Sequence, residues 1–273
     1  MNVAVIIPAA GASTRYQQAA TEAGVDPGAT RSKLDEDLGG RPVLQRTVEL
    51  FANHAAVSVI IVAGPHGEEA FADFKLRYGD KLGMLGVRLA RGGKAHRYET
   101  VAAALSLVPE SCTHVAVHDA ARPCAPADLI ERVLEAAERH AAVIPGLDVA
   151  DTVKRVGEPI AETRADPLAA ILGAPPPSAA TGPRPVQQTV DRAGLVAVQT
   201  PQVFSRELLV RAYAQSDLAS TDDAQLVERL GERVVVVPGD ARNIKITRPG
   251  DLHMARVILN VRAPEARAAH KRF

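Results

Sequence analysis

Short runs rich in valine, isoleucine and alanine alternate along the chain with longer amphipathic stretches, and this βαβα rhythm restricts it to a sheet, largely parallel, with helices on both faces. The strands are expected at Val3 to Pro8, Val57 to Ala63, Gly86 to Ala90, Thr113 to His118, Ala142 to Pro145, Leu195 to Gln199 and Val234 to Val237. Their near-continuous apolar content, rather than strict alternation, suits strands covered on both sides. With 273 residues the chain can bury a large core, and the expected organisation is one domain over 1–262 with an excursion. No apolar run reaches the length of a membrane span, and the first strand starts too early to leave room for an export signal, so a cytoplasmic protein is expected.

Helices are expected between the strands. One covers Pro42 to Asn53, where Val43, Leu44, Thr47, Val48, Leu50 and Phe51 form an apolar stripe behind a proline suited to a first helical turn. Others cover Asp128 to His140 and begin at Thr221, where Thr-Asp-Asp supplies a cap and acidic first-turn residues. Two stretches break the rhythm. Gln17 to Ser32 is polar, contains Gly24, Pro27 and Gly28, and reads as a mobile loop. The stretch from about Asp148 to Arg192 reads as an arm, with a proline-rich insert over 174–185 that cannot sit inside a sheet. Residues 263–273, rich in arginine and alanine, read as a frayed tail.

The first strand runs into Ala9-Ala10-Gly11-Ala12-Ser13-Thr14-Arg15, a turn of small residues ending in a cation. Such a turn can bring backbone N–H groups against phosphate oxygens, with Gly11 free to take positive φ. Neither Gly-Lys-Ser/Thr nor Gly-x-Gly-x-x-Gly is present, so two familiar phosphate-binding classes are excluded. Thirty-two basic residues balance 32 acidic ones, which argues against bulk electrostatic binding to nucleic acid, and any anion site must be local. Cys112 and Cys124 lack the spacing of a zinc site and read as small buried hydrophobes. His118, alone at a strand end, reads as a structural residue without a catalytic role.

The strings Pro8-Ala-Ala-Gly-Ala-Ser-Thr-Arg15, Ser32-Lys33, Val117-His-Asp-Ala-Ala-Arg-Pro123, Thr189-Val-Asp-Arg192, Gln199-Thr-Pro-Gln-Val-Phe204, Thr221-Asp-Asp-Ala224 and Asn243-Ile-Lys-Ile-Thr-Arg-Pro-Gly-Asp-Leu252 resemble, in order, the 2-C-methyl-D-erythritol 4-phosphate cytidylyltransferase family. The resemblance implies a three-layer α/β/α Rossmann-like nucleotidyltransferase fold with a protruding β-arm. It implies transfer of a cytidylyl group from CTP to 2-C-methyl-D-erythritol 4-phosphate, releasing pyrophosphate, in bacterial isoprenoid precursor synthesis. A ribitol 5-phosphate cytidylyltransferase and an inactive nucleotide-binding dimer are the competing readings. The nucleophile in such a reaction is already an anion, so positioning and charge stabilisation, rather than a general base, carry the catalysis.

On that resemblance Lys33 stabilises the pentacoordinate α-phosphate, Arg15 neutralises developing pyrophosphate, and Lys245, on an expected strand Ile244 to Thr247, completes the catalytic cations. The nucleotide is held by Ala9, Ala10, Gly11, Arg15, Lys33, Gly92, Thr100 and Asp119. Asp119, at the carboxyl end of a strand, is the expected Mg²⁺ ligand, since that ion keeps several waters and takes one or two protein carboxylates. Arg122, Asp151, Thr152, Arg192, Thr200 and Lys245 are implied for the polyol phosphate, and residues 148–192 for a homodimer in which each arm completes the partner's site. Neither nucleic acid nor membrane is an expected partner. Two departures stand out: Lys94 and one extra residue follow the paired glycines where the family carries an acid, and the stretch from Arg15 to Lys33 is long.

Overall fold

The computed structural model describes residues 1–22, 32–160 and 182–263. The chain divides into two compact units, one of Met1–Leu147 together with the chain from Val198 onward, the other of Asp148–Ala197. Residues 23–31, most of the insert at 174–185 and nearly all of the expected tail lie outside the described residues.

The first unit begins with β1 (Val3–Pro8), α1 (Thr14–Glu22), α2 (Val43–Ala52), β2 (Val57–Gly64), α3 (Glu68–Gly83), β3 (Val87–Arg91), α4 (Arg97–Leu105), β4 (His114–Val117), α5 (Ala127–Ala137) and β5 (Ala142–Asp148). The second unit holds β6 (Val153–Val156) and β7 (Val186–Val190), paired antiparallel with Val153 opposite Val190, and the chain leaves it through β8 (Val196–Val198). The first unit resumes with β9 (Gln202–Ser205), α6 (Arg206–Tyr213), α7 (Asp223–Arg229), β10 (Val235–Pro238) and α8 (Pro249–Ile258).

Across the first unit's sheet the order is β10-β5-β9-β4-β1-β2-β3. Neighbouring strands are parallel except at β9, which runs antiparallel to both β4 and β5. The expected largely parallel α/β sheet is thus present, with one strand that the valine-rich pattern did not mark. Gln202-Val-Phe-Ser205 is short and opens with a polar residue, and its strand character comes from pairing on both edges.

Successive residues of β1 explain why the strand is apolar throughout. Val3, Val5 and Ile7 enter a core with α2, α3 and α5, while Ala4 and Ile6 enter another with α4, α6 and α7. All five are fully buried. Both layers of helices therefore follow from a period-2 strand whose two faces are each covered. In α2, Val43, Leu44, Thr47, Val48 and Phe51 are buried, as the expected stripe requires, and Thr47 donates its hydroxyl to the Ala120 carbonyl at 2.9 Å.

Two expectations need correction. Residues 17–22 belong to α1, where buried Tyr16 and Ala20 supply one apolar face, so the polar loop is shorter than its composition implied. Residues 244–247 form no strand: Ile246 donates its N–H to the Ala121 carbonyl at 2.8 Å and buries its side chain, so the segment is held without a ladder. Cys112 and Cys124 are buried and unpaired, as read from their spacing. Among the described residues no helix is long and apolar enough to cross a membrane.

Phe204 lies fully buried on β9, between the strands that border the site described below. Phe204→Ala is expected to lower stability by about 3–5 kcal/mol through lost burial and a residual cavity. Denaturant unfolding should show a lower midpoint at unchanged slope, and an unshifted midpoint would mean that β9 is not a packing element.

Candidate active site

The loops at the carboxyl ends of β1, β3 and β4 enclose a cleft of about 230 Å³. Open α/β sheets place their ligands at such strand ends. Ala9, Ala10 and Gly11 line it with Arg15 at the start of α1, and Lys33, Lys94, Arg97, Thr100, Asp119 and Lys245 complete the polar wall. Five Lys or Arg side chains thus face one carboxylate, that of Asp119. An adjoining cavity of about 450 Å³ shares Arg97, Asp119 and Lys245 and adds Arg122, Gln199, Thr200, Gln202, Thr221 and Asp222 among others. The two spaces meet at the shared trio, and that junction is the electrostatic centre of the unit.

Asp119 follows β4 and is 8% exposed. Its Oδ2 lies 2.8 Å from Lys245 Nζ and 3.4 Å from Arg122 Nε, and its Oδ1 lies 3.4 Å from Arg97 Nε. Burial alone would raise the carboxyl pKa, yet Lys245, Arg97 and Arg122 together hold it well below the usual carboxylate range. A buried charge survives only when paired, and here the partners come from three separate stretches of chain.

Arg97, which the motifs did not single out, is the link between the site and the core beneath. Its Nη2 lies 2.7 Å from Oδ2 of fully buried Asp223, and Tyr213 donates its hydroxyl to the other oxygen of that carboxylate. Burial would lower the guanidinium pKa, but Asp223 and Asp119 raise it overall. Asp222 caps α7 by accepting from Gln225 N–H at 3.1 Å, as the Thr-Asp-Asp string suggested, whereas Asp223 turns inward to the arginine. The available signal was positional: Arg97 opens the helix that follows a glycine pair, within one turn of Thr100.

Lys33 donates to the Ile246 carbonyl at 2.9 Å. Burial and then Lys245 push its pKa down, Asp119 opposes this, Arg15 adds to it, and the balance is about 8. The Ser13 and Ser32 hydroxyls are 3.1 Å apart, so the chain returns beside its point of departure and Arg15 and Lys33 share one cleft despite their long separation.

The glycines divide by role. Positive φ falls on Ser13, at 58°, not on Gly11. A Cβ built on Gly11 would meet nothing within 4 Å, so none of the described residues requires a glycine there. Gly92, expected to touch nucleotide, does not line the cleft; a Cβ there would lie 2.6 Å from the Gly64 carbonyl oxygen and 2.8 Å from Thr100 Cγ2. Gly93 takes its place in the lining, and its N–H donates to Thr100 Oγ1 at 3.1 Å. Thr100 is itself 2% exposed.

Arg122 is buried, donates to the Asn243 carbonyl at 2.7 Å, and lines the second cavity with Thr200. Lys245 faces both cavities from its non-strand segment. His118 is fully buried beside Phe51 and lines neither. In the second unit the exposed Asp151 and Thr152 precede β6 and exposed Arg192 follows β7, so hairpin pairing brings all three to one end of the ribbon. Arg192 Nη1 donates there to the Val149 carbonyl at 3.3 Å.

Among the described residues no group of three or more His, Cys, Asp or Glu side chains is arranged to hold a metal ion by itself. Asp119, the single carboxylate lining the first cleft among the described residues, would be the residue to hold a hard divalent cation there.

The chain matches the family described as IspD, 2-C-methyl-D-erythritol 4-phosphate cytidylyltransferase, over residues 3–171 and 178–261. It is 39% identical to the enzyme of that name from Streptomyces avermitilis over 257 residues, covering 94% of this chain and 91% of the relative. Identity to that from Frankia casuarinae is 40% over 259 residues, covering 94% and 81%. The crystal structure of 2-C-methyl-D-erythritol 4-phosphate cytidylyltransferase from Thermus thermophilus superposes with a TM-score of 0.66 at 33% identity, covering 96% of this chain and all of that one. A crystal structure of 4-diphosphocytidyl-2C-methyl-D-erythritol synthase gives a TM-score of 0.68 at 31% identity, covering 94% and 98%.

The contrast between the two glycines is measurable. Gly92→Ala forces its methyl group onto a carbonyl oxygen and is expected to cost about 1–3 kcal/mol. Gly11→Ala is expected to leave the melting temperature unchanged while weakening nucleotide binding. Calorimetry and nucleotide titration on both variants check this; equal melting of the two would sink the assignment of separate roles.

Proposed function

Because the chain belongs to the 2-C-methyl-D-erythritol 4-phosphate cytidylyltransferase family, we propose that it transfers the cytidylyl group of CTP to 2-C-methyl-D-erythritol 4-phosphate. The products are 4-CDP-2-C-methyl-D-erythritol and pyrophosphate, in the non-mevalonate route to isoprenoid precursors. The observation that carries this reading is the meeting of two cavities at Arg97, Asp119 and Lys245, with Arg15 and Lys33 on one side and Arg122 on the other. Transfer between two anionic substrates needs two adjoining anion sites with cations at the boundary.

A phosphate oxygen of the polyol phosphate forms a bond to the α-phosphorus of CTP while the bond to the bridging α–β oxygen breaks, and pyrophosphate carries away the electron pair. No proton need be removed from the nucleophile. Lys33 stabilises the charge gathering on the α-phosphoryl oxygens, and Arg15 neutralises the departing pyrophosphate. Ala9, Ala10, Gly11, Gly93 and Thr100 form the wall for the nucleoside, with Lys94 at that wall where the family carries an acid. Arg122 and Thr200 receive the second substrate, and Lys245, set by Asp119, spans both sides. Asp119 would hold a divalent cation, taken here as Mg²⁺, whose contribution is to offset phosphate charge.

The ribbon of β6 and β7 is read as the arm of a homodimer, with Asp151, Thr152 and Arg192 offered to the polyol phosphate of the partner's site. Its strand residues are exposed or half-buried throughout, which leaves faces for a second copy to cover. The bacterial cytoplasm is part of this reading, as the compartment that would supply CTP.

Purified protein given CTP, Mg²⁺ and 2-C-methyl-D-erythritol 4-phosphate is expected to release pyrophosphate, with ribitol 5-phosphate a poor substitute. Silence with both would sink the enzymatic reading, and preference for ribitol 5-phosphate would reassign the acceptor. Lys33→Ala should cut kcat about 100-fold or more with modest loss of CTP affinity.

The pH dependence follows from the same lysine. Its ammonium is the working form, and a pKa lowered to about 8 means the charge is lost as pH rises through that value. For the free enzyme kcat/KM should therefore fall on the alkaline side of pH 8, and Lys33→Arg, which stays charged, should be slower but lack that limb. An alkaline limb unmoved by Lys33→Arg would assign it to another group.

A further inference from the structure

His118 is fully buried, takes no part in the chemistry above, and makes two hydrogen bonds whose directions can be worked out. Nε2 lies 3.0 Å from the carbonyl oxygen of Arg122. A carbonyl only accepts, so this nitrogen carries hydrogen. The other ring nitrogen, Nδ1, faces a hydroxyl whose proton has no other acceptor within hydrogen-bond distance among the described residues. The atom facing Nδ1 is Thr200 Oγ1, at 3.2 Å. The Thr200 hydroxyl must therefore donate to it. That leaves the threonine oxygen as an acceptor, and the Asp119 N–H donates to it at 3.0 Å.

The resulting chain runs from the Asp119 amide to Thr200, to His118, to the Arg122 carbonyl. Its ends are the two ends of the turn that carries the Asp119 carboxylate and the Arg122 guanidinium, a turn already closed by Arg122 N–H to Asp119 C=O at 3.0 Å. The ring packs edge-on against Phe51, with centroids 5.0 Å apart, and the His118 backbone is fixed by its main-chain N–H donating to the Ile6 carbonyl at 2.9 Å. Thr200 is fixed in turn by Asn243, whose Nδ2 donates to the Thr200 carbonyl at 2.8 Å. Every donor in this buried chain has one acceptor, which specifies a single arrangement.

We propose that His118, as the Nε2–H tautomer, is a positioning residue that clamps both ends of the Asp119–Arg122 turn and so sets where the carboxylate and the guanidinium stand relative to the reacting phosphates. The proposal rests on the cytidylyltransferase reading and deepens it. It also defines the part Thr200 can play: with its proton committed to His118, its hydroxyl meets the second substrate only as an acceptor.

Three variants of the full-length protein test the clamp by steady-state kinetics at fixed Mg²⁺, with folding checked by melting. His118→Phe keeps a ring against Phe51 and removes both hydrogen bonds. It should lower kcat about 10- to 100-fold with KM for CTP within about twofold, because the first cleft's nucleoside wall is untouched. His118→Gln retains a donor for the Arg122 carbonyl and should recover part of that loss. Thr200→Val breaks the chain at its other link; the double variant with His118→Phe should be no slower than the worse single variant, since both cut one path. A folded His118→Phe with near-normal kcat, or losses that multiply in the double variant, would overturn the proposal. If His118→Phe does not fold, Thr200→Val decides alone, and a normal rate overturns the clamp.

One readout is independent of turnover. The imidazole ¹⁵N shifts of His118, assigned by their loss in His118→Gln, should report the Nε2–H tautomer at neutral pH. The Nδ1–H tautomer would overturn the clamp even in a fully active enzyme. Wild-type protein that shows the Nε2–H form yet turns over no CTP would instead sink the enzymatic reading and leave the clamp's geometry standing.

Discussion

One buried carboxylate allows this site to exist. Lys33, Arg97, Arg122 and Lys245 would repel one another if gathered without a counter-charge, and Asp119 supplies it with short or moderate separations to three of them. Even so the compensation is incomplete. Lys33 is left with a lowered pKa, and its first electrostatic cause after burial is Lys245. A cleft with an excess of positive charge, partly shielded from water, is an unfavourable state that anionic ligands relieve, so what destabilises the empty cleft strengthens phosphate binding.

That arrangement rests on the sheet. β4 ends at Val117 and places His118 and Asp119 where the strand gives way to a tight turn, while β9, antiparallel beside it, brings Thr200 to the same edge. The opening loop enters from β1, the next strand over, and Arg97 from the helix that follows β3. Covering both faces of these strands with helices keeps their ends rigid, and rigid ends let side chains from remote stretches hold hydrogen-bond geometry. The Arg97, Asp223 and Tyr213 network continues that order downward into the second layer.

Much of the fold was legible because its physics is local. The run from Val3 to Ile7 is apolar at every position since both faces are buried, and the α2 stripe spells its burial residue by residue. β9 was not legible, since four residues beginning with glutamine carry no period of their own and are held by two neighbours. Lys245 was read onto a strand for the converse reason: Ile244 and Ile246 alternate with it, but the segment is held by the Ile246 N–H on the Ala121 carbonyl, by Lys33 on the Ile246 carbonyl, by the Lys245–Asp119 pair and by burial of Ile246, not by a ladder. Gly11 and Gly92 look alike in sequence, yet one faces open space and the other abuts a carbonyl, a distinction invisible without neighbours.

The amino-acid sequence by itself determined the layered α/β class, the strand-to-loop transition at Pro8 and the ordered motifs that carry family membership, because periodicity and motif order are properties of the chain. Only the tertiary structure decided that Arg97 joins Asp119, that Gly93 rather than Gly92 lines the cleft, and that His118 holds the ends of a turn. Those facts depend on distances between residues as far apart as positions 97 and 223 or 118 and 200, and such distances are set by strand order and packing, which no local pattern encodes.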